Sequence, residues 1–429
     1  MAVMVSHKIK VLKPVTMGSF YKDFPLQEQD SIRVLKICPG DSATVMVQPE
    51  LVRLSDKPKF LALSYAWGDP FGKRLRSFEK YGLDKYHISC AGERLLVTVN
   101  LYEAVLQLRE KQKQNLLPSL PIWIDQIYIN QNNESEEKNH QLPLMQRIYG
   151  EASEVIVWLG RDDPTTHEAV QILKNLRHRL EEPFLKPPGA DDTLQLCNID
   201  RGERQFVMSL VQRTWFNRVW TVQEVLMPRR VRCFCGPCEL DVLAPSLFAA
   251  VLQKTVSDGH SSSDIFEDWE KFHGQVSGAA CIVAWEGLTS ETGGFGERSF
   301  LRYPVIDWKY EIPYFFKWLV ALEHLVHEVR QRNCHNPKDK VLAPISFALG
   351  FGQESFELRE LKCEARGMLD DHFPVADLYT KFTRFLIKSM KNLDILSRAH
   401  RDDANDEMIE GVRLPSWVPP FHLTGTTCS

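Results

Sequence analysis

The sequence predicts an α/β protein in which a parallel sheet flanked by helices is followed by a mostly helical C-terminal region. Three observations predict it. Short apolar runs of strand length recur at Phe60–Ala66, Ile122–Ile127, Val155–Leu159 and Val231–Phe234, too apolar for strands with one wet face. Stretches with helical spacing separate them, so the order strand, helix, strand favours parallel pairing with both faces covered. Beyond residue 240 the strand-like runs give way to helical patterns such as Phe315–Arg330 and Val375–Met390.

Taken in order, the first fifty residues are mixed and are expected to supply strands that pack on the main unit. The Phe60–Ala66 run ends at Trp67-Gly68-Asp69-Pro70, a turn signal. His87–Cys90 and Leu95–Val97 flank Ala91-Gly92-Glu93, which reads as a hairpin. Thr98 is placed to cap a helix whose stripe is Leu101, Ala104, Val105 and Leu108. After the polar Asn130–Asn133 loop, Asn133 and Glu136 have capping-box spacing, and Pro143 kinks or restarts the helix carrying Met145, Ile148 and Tyr149. A longer helix is expected from about Thr166 to Leu180, then a proline-rich acidic loop to Asp192. The expected units are an N-terminal segment 1–50, a core domain 51–243 and a helical region 244–429.

Composition narrows the function classes. The 429 residues exceed one typical core, and 44% hydrophobic with 25% charged residues is the balance of a globular protein. A net charge of −4 gives no reason to expect a nucleic-acid partner. No apolar run reaches the ~18 residues of a membrane span. The N-terminus lacks the apolar block of a secretory signal, so the ten cysteines are expected to be reduced thiols in the cytoplasm. The abrupt ending Thr424–Ser429 carries the expectation that the natural product continues.

The most informative segment is Arg213-Thr-Trp-Phe-Asn-Arg-Val-Trp-Thr-Val-Gln-Glu224. Read as one helix, it stacks Phe216, Trp220 and Glu224 along a single face. Glu224 then shares a stripe with core aromatics, and its carboxylate belongs at the core's edge or in a cleft. A desolvated carboxylate there has a raised pKa and suits acid–base work or stabilisation of a cation. The alternative is a salt bridge to Arg213 or Arg218 that only fixes the helix.

In parallel sheets, ligands settle beyond the carboxyl ends of the strands. That rule points to Ser64, Tyr65, Trp67 and Gly68, and to Asp125 through Asn130. Trp67 suits stacking on a base or packing at a rim, and Tyr65 suits the cleft or the core. Asp125 suits a ribose contact or the capping of backbone amides. Asn130 suits a turn or a ligand, and Arg218 a structural pair or a phosphate contact. No ligand set for a metal is evident.

Four stretches in this order together resemble the fungal heterokaryon-incompatibility (HET) domain: Leu63–Gly68, Trp123–Gln131, Met145–Tyr149 running into Val157–Gly160, and Arg213–Glu224. The resemblance covers about residues 58–240 well, with thinner support from Thr98–Leu101, Lys338–Leu342 and Leu414–Pro419. Two departures are Tyr128, where the family usually has cysteine, and Pro143. HET domains are thought to share the TIR fold, a flavodoxin-like α/β sheet, and many TIR domains cleave NAD with a glutamate in a Trp-x-x-x-Glu context. Trp220-Thr-Val-Gln-Glu224 has that spacing. The resemblance therefore implies a non-self recognition effector that triggers cell death as an NAD glycohydrolase (NADase), with Glu224 catalytic. Ser64, Tyr65, Trp67, Gly68, Asp125, Asn130, Arg218 and Trp220 would bind the substrate. It implies NAD as substrate rather than as cofactor, self-association, and an incompatibility partner protein. The alternative is an inactive self-associating module of the same fold.

Cys235-Gly-Pro-Cys238 invites a redox reading, which needs a helix starting at the first cysteine. Here that cysteine ends a strand and Glu239–Leu243 looks like the returning one, so a hairpin is expected instead.

Overall fold

The computed structural model describes residues 21–422 apart from 72–84, 129–140, 186–198, 283–313, 397–411 and shorter runs between them. Nine strands form one sheet in the order β5-β4-β2-β1-β6-β3-β7-β8-β9. They are β1 (Ser31–Ile37), β2 (Met46–Arg53), β3 (Leu61–Tyr65), β4 (Lys85–Cys90), β5 (Glu93–Thr98), β6 (Ile122–Trp123), β7 (Glu154–Trp158), β8 (Val231–Cys235) and β9 (Cys238–Leu240).

The centre of the sheet is parallel. β3 pairs with β6 on one side and with β7 on the other, and β7 pairs with β8. All five β3 residues are buried, as expected of a strand covered on both faces. The margins are mixed. β1 pairs antiparallel with β2 and β6, β4 with β5, and β8 with β9, while β2 and β4 run parallel. The N-terminal strands β1 and β2 are thus part of the main sheet. The apolar run at Ile122 is strand only over Ile122–Trp123, shorter than the sequence suggests. Asp125 ends it, because its carboxylate accepts from the Gln126 amide (2.7 Å) and starts the turn α2 (Asp125–Tyr128).

Helix α1 (Val99–Lys113) begins where expected: Thr98 accepts from the Leu101 amide. Its inner stripe of Leu101, Ala104, Val105 and Leu108 is buried. Helices α3 (Met145–Glu151), α4 (Thr166–Leu185) and α5 (Arg201–Val211) follow, with Asp200 capping α5 through the Glu203 amide (2.9 Å). α4 runs a turn past the expected Leu180. Asn130, the Asn133 cap and Pro143 lie outside the described residues.

Cys235 and Cys238 are cross-strand partners in a hairpin, not the start of a redox helix. Gly236 makes the turn at φ +54°, where a Cβ would approach Asp162 to 2.5 Å.

The Arg213–Glu224 segment is not one helix. A 3₁₀ turn at Thr214–Asn217 is followed by extended backbone at Arg218 (φ −82°, ψ 138°), and α6 occupies Thr221–Leu226. Arg218 is extended because its backbone pairs with Asn333. Phe216 and Glu224 are both fully buried, but from two short helical pieces rather than one continuous stripe.

The C-terminal region is helical: α7 (Leu243–Ser257), α8 (Tyr314–Glu328), α9 (Asp339–Ala348), α10 (Phe356–Arg366) and α11 (Val375–Met390). α9 is buried from Lys340 to Ala348, and the Trp318 indole of α8 donates to its Ala348 carbonyl (2.8 Å). Apolar side chains of this region and of the sheet belong to one continuous cluster.

Candidate functional site

The site forms at the carboxyl end of β3, where residues from four separate stretches converge. Strand alternation sends Ser64 and Tyr65 to opposite faces. Ser64 meets the 3₁₀ turn and α6. Its hydroxyl donates to a carboxylate oxygen of Glu224 and accepts from the Trp215 indole (2.7 Å), so donor and acceptor are both used. Tyr65 is core on the other face, and its hydroxyl donates to Gln126 Oε1 (2.7 Å).

Glu224 sits in the first turn of α6 and is 1% exposed. Burial pushes its pKa from 4.5 to about 7, and the neighbouring negative charge of Asp125 adds to the shift. Arg218, the Ser64 hydrogen bond and Arg332 pull the other way. At neutral pH the carboxyl is therefore poised between its two forms. The salt-bridge alternative does not hold. Arg213 pairs with Asp163 (2.6 Å), Arg218 donates to the Tyr65 carbonyl, and among the described residues Glu224 forms no ion pair.

The half-buried Trp67 follows β3 and donates from its indole to Asp125 Oδ2 (2.8 Å). Asp125 thus spends one oxygen on the Gln126 amide and the other on Trp67. Burial raises its pKa, and Arg218 and these hydrogen bonds oppose the rise. Gly68 is exposed, and a Cβ there would meet nothing within 4 Å. Trp220 is half-buried at the entrance to α6, where its carbonyl accepts from the Glu224 amide (3.4 Å).

The structure thus assembles Ser64, Asp125, Trp67, Arg218 and Glu224 at one sheet end, with Gly68 and Trp220 at the rim and Tyr65 beneath. Several contributors are absent from the sequence reading. Trp215 bonds Ser64 directly. Asn100, fully buried, donates to the Ala66 carbonyl (2.7 Å) and accepts from the Trp158 indole (2.9 Å), fixing the chain just before Trp67. A polar residue beside the apolar stripe of α1 was its one visible signal. The buried Tyr149 hydroxyl has no hydrogen-bond partner among the described residues, and burial with the charges of Glu224 and Asp125 pushes its pKa well up. Arg332, from the C-terminal region, donates to the Phe216 carbonyl and the Thr221 hydroxyl (2.9 Å).

Chemically, two desolvated carboxyl groups feel the charge of the Arg218 guanidinium, with indoles at the margin. Such an arrangement can hold polyhydroxylated or cationic groups against a carboxylate of tunable charge. Among the described residues, no group of three or more His, Cys, Asp or Glu is placed to hold a metal, and no helix is long and apolar enough to cross a membrane.

The family model "Heterokaryon incompatibility protein (HET)" matches residues 60–224, from the residue before β3 to the glutamate itself. The chain is 29% identical over 232 residues to "Heterokaryon incompatibility protein 6, OR allele" of Neurospora crassa. That match covers 48% of this chain and 31% of the relative, so the chain spans under a third of that protein. No solved structure matches the chain significantly. Over residues 60–224, from the start of β3 to Glu224, the chain is thus similar to the heterokaryon-incompatibility family.

Proposed function

We propose that this protein is an effector of heterokaryon incompatibility, triggering cell death on non-self contact by hydrolysing NAD at the nicotinamide–ribose bond. The incompatibility role is supported by the HET match and by the name of the Neurospora relative. The observation that carries the chemistry is Glu224: a carboxyl shifted to about 7, bonded to Ser64 at a strand's carboxyl end.

In this reading the bond from ribose C1′ to nicotinamide breaks, and its electron pair leaves with the neutral nicotinamide. The sugar acquires oxocarbenium character, which the ionised Glu224 stabilises. Water then adds to C1′ and gives its proton to the Glu224 carboxylate. Arg218 suits a phosphate, Asp125 a ribose hydroxyl, and Trp67 or Trp220 a ring face. Ser64 holds the carboxylate in place. Gly68 leaves room at the mouth, and Tyr65 supports the floor. Asn130, which lies outside the described residues, completes the proposed set on the sequence resemblance alone. The protein acts in the cytoplasm as a self-associating assembly, with the region after residue 243 joining its control.

A second reading is favoured by the near-complete burial of Glu224: the same fold serves as a non-catalytic, self-associating signalling module. One assay separates the two. The purified full chain is incubated with NAD at high protein concentration, beside Glu224→Gln. Nicotinamide release that disappears in the variant supports hydrolysis; a folded, assembled wild type without release leaves the signalling module.

A further inference from the structure

The family match ends at Glu224, yet the backbone just before Glu224 is held by residues more than a hundred positions downstream. The C-terminal turn after α8, residues Val329–Gln331, leads into Arg332 and Asn333. The Asn333 amide donates to the Asn217 carbonyl, and the Val219 amide donates back to the Asn333 carbonyl (3.1 Å). Arg332, 1% exposed, donates to the Phe216 carbonyl and to Thr221 Oγ1 (2.9 Å). The Thr221 hydroxyl in turn reaches the Arg218 carbonyl (2.8 Å). In the break between the 3₁₀ turn and α6, Arg218 and Val219 are thus tied to this strut or to β3.

The strut is itself fixed from behind. Lys340, 3% exposed at the start of α9, donates to the carbonyls of Val329 (2.9 Å), Arg330 (3.1 Å) and Arg332. An ammonium has three donors, and here each meets a carbonyl at the end of a helical run whose last carbonyls lack helical partners. Tyr379 of α11 donates to the Pro337 carbonyl (2.7 Å), bracing the intervening loop.

We infer that Arg332, locked by Lys340, is a positioning residue for Glu224, so that the C-terminal region completes the site and is not a detachable accessory. Its guanidinium sets where α6 starts, and the first turn of α6 sets where the Glu224 carboxylate meets Ser64. A misplacement of about 1 Å at such a group commonly costs on the order of a hundredfold in rate. The groups that interact with Glu224 are Ser64, Tyr65, Arg218, Asp125 and Tyr149 from the matched region and Arg332 from the strut. Removing Arg332 takes away a cation, so a rate limb set by Glu224 ionisation moves to higher pH.

The turnover readouts rest on the proposed hydrolysis; the backbone readout does not. The full chain is compared with Arg332→Met, Arg332→Lys, Thr221→Val and Thr221→Ser, each checked for folding by circular dichroism. Hydrogen exchange followed by mass spectrometry reads the amides of residues 217–226. Expected are faster exchange there in Arg332→Met and Thr221→Val, and near wild-type exchange in Thr221→Ser. In nicotinamide release, the two disruptive variants lose kcat on the order of tenfold to a hundredfold, with less change in KM, and the acid limb moves up in Arg332→Met. Arg332→Lys keeps the charge without the fork, so the limb stays nearer its place while kcat falls. If Arg332→Met cannot fold, Thr221→Val carries the test alone. Folded variants with wild-type exchange over 217–226 overturn the inference. Wild type without nicotinamide release, but with altered exchange in the variants, overturns the hydrolase reading alone.

Discussion

The Ser64 hydroxyl donates to the Glu224 carboxylate across 160 residues of chain, joining the carboxyl end of the central strand to the first turn of α6. That single bond ties the sheet to the residue on which the proposed chemistry depends. Ser64 also accepts from Trp215, so its proton and one of its two lone pairs are engaged.

Glu224→Gln is expected to abolish nicotinamide release, a loss on the order of a hundredfold or more. It should also change how stability depends on pH. The folded pKa of about 7 lies above the ordinary 4.5, so between those values the native state binds more protons than the unfolded chain. This group's contribution is most favourable below 4.5 and is lost as pH rises through 7, a change on the order of 3 kcal/mol. Urea titrations at pH 5 and pH 8 should show the wild type losing stability relative to Glu224→Gln as pH rises. Parallel pH dependence of the two proteins would mean that Glu224 is not desolvated as described.

Ser64→Ala removes a donor from Glu224 and strands the buried Trp215 indole. Destabilisation of about 1–3 kcal/mol is expected by chemical denaturation. The Ser64 bond lowers the Glu224 pKa, so its loss should shift the acid limb of the rate profile to higher pH. An unshifted limb in a folded variant would count against Glu224 as the titrating group.

Trp67→Phe keeps a ring at the rim but removes the donor to Asp125. Because that bond lowers the Asp125 pKa, the variant's Asp125 should hold its proton to still higher pH. For NAD hydrolysis, the expected signature is a rise in KM greater than the fall in kcat. A pure kcat defect would place Trp67 in support of the backbone instead.

The Cys235–Cys238 hairpin should be chemically quiet. Burial raises the Cys235 thiol to about 11 and moves Cys238 upward as well. Both should alkylate slowly at pH 8 in the folded protein, since the thiolate is the reactive form. Cys238→Ser should leave nicotinamide release unchanged. Rapid labelling, or loss of activity in that variant, would reopen a redox role.

The central strands, the Thr98 cap of α1, both hairpins and the helices around Phe315 and Val375 were legible from sequence alone. Each is written in local spacing, because apolar period, cap and turn chemistry act within a few residues. That Glu224 leaves solvent was legible too, from its spacing to Phe216 and Trp220, though the carboxylate was expected at the core's edge or in a cleft and is 1% exposed. Its inferred route was wrong, since a continuous stripe was expected where the chain breaks at Arg218.

What only the tertiary structure decided are the contacts whose partners lie far apart. The break at Arg218 exists because its backbone pairs with Asn333. β1 and β2 enter the sheet through β6 and β4, and Arg332 reaches Phe216 across 116 residues. A buried backbone group must find a partner, but nothing in the local sequence says which distant segment supplies it. Residue periodicity therefore determined which faces turn inward, and the long-range hydrogen bonds decided where the Glu224 carboxylate stands.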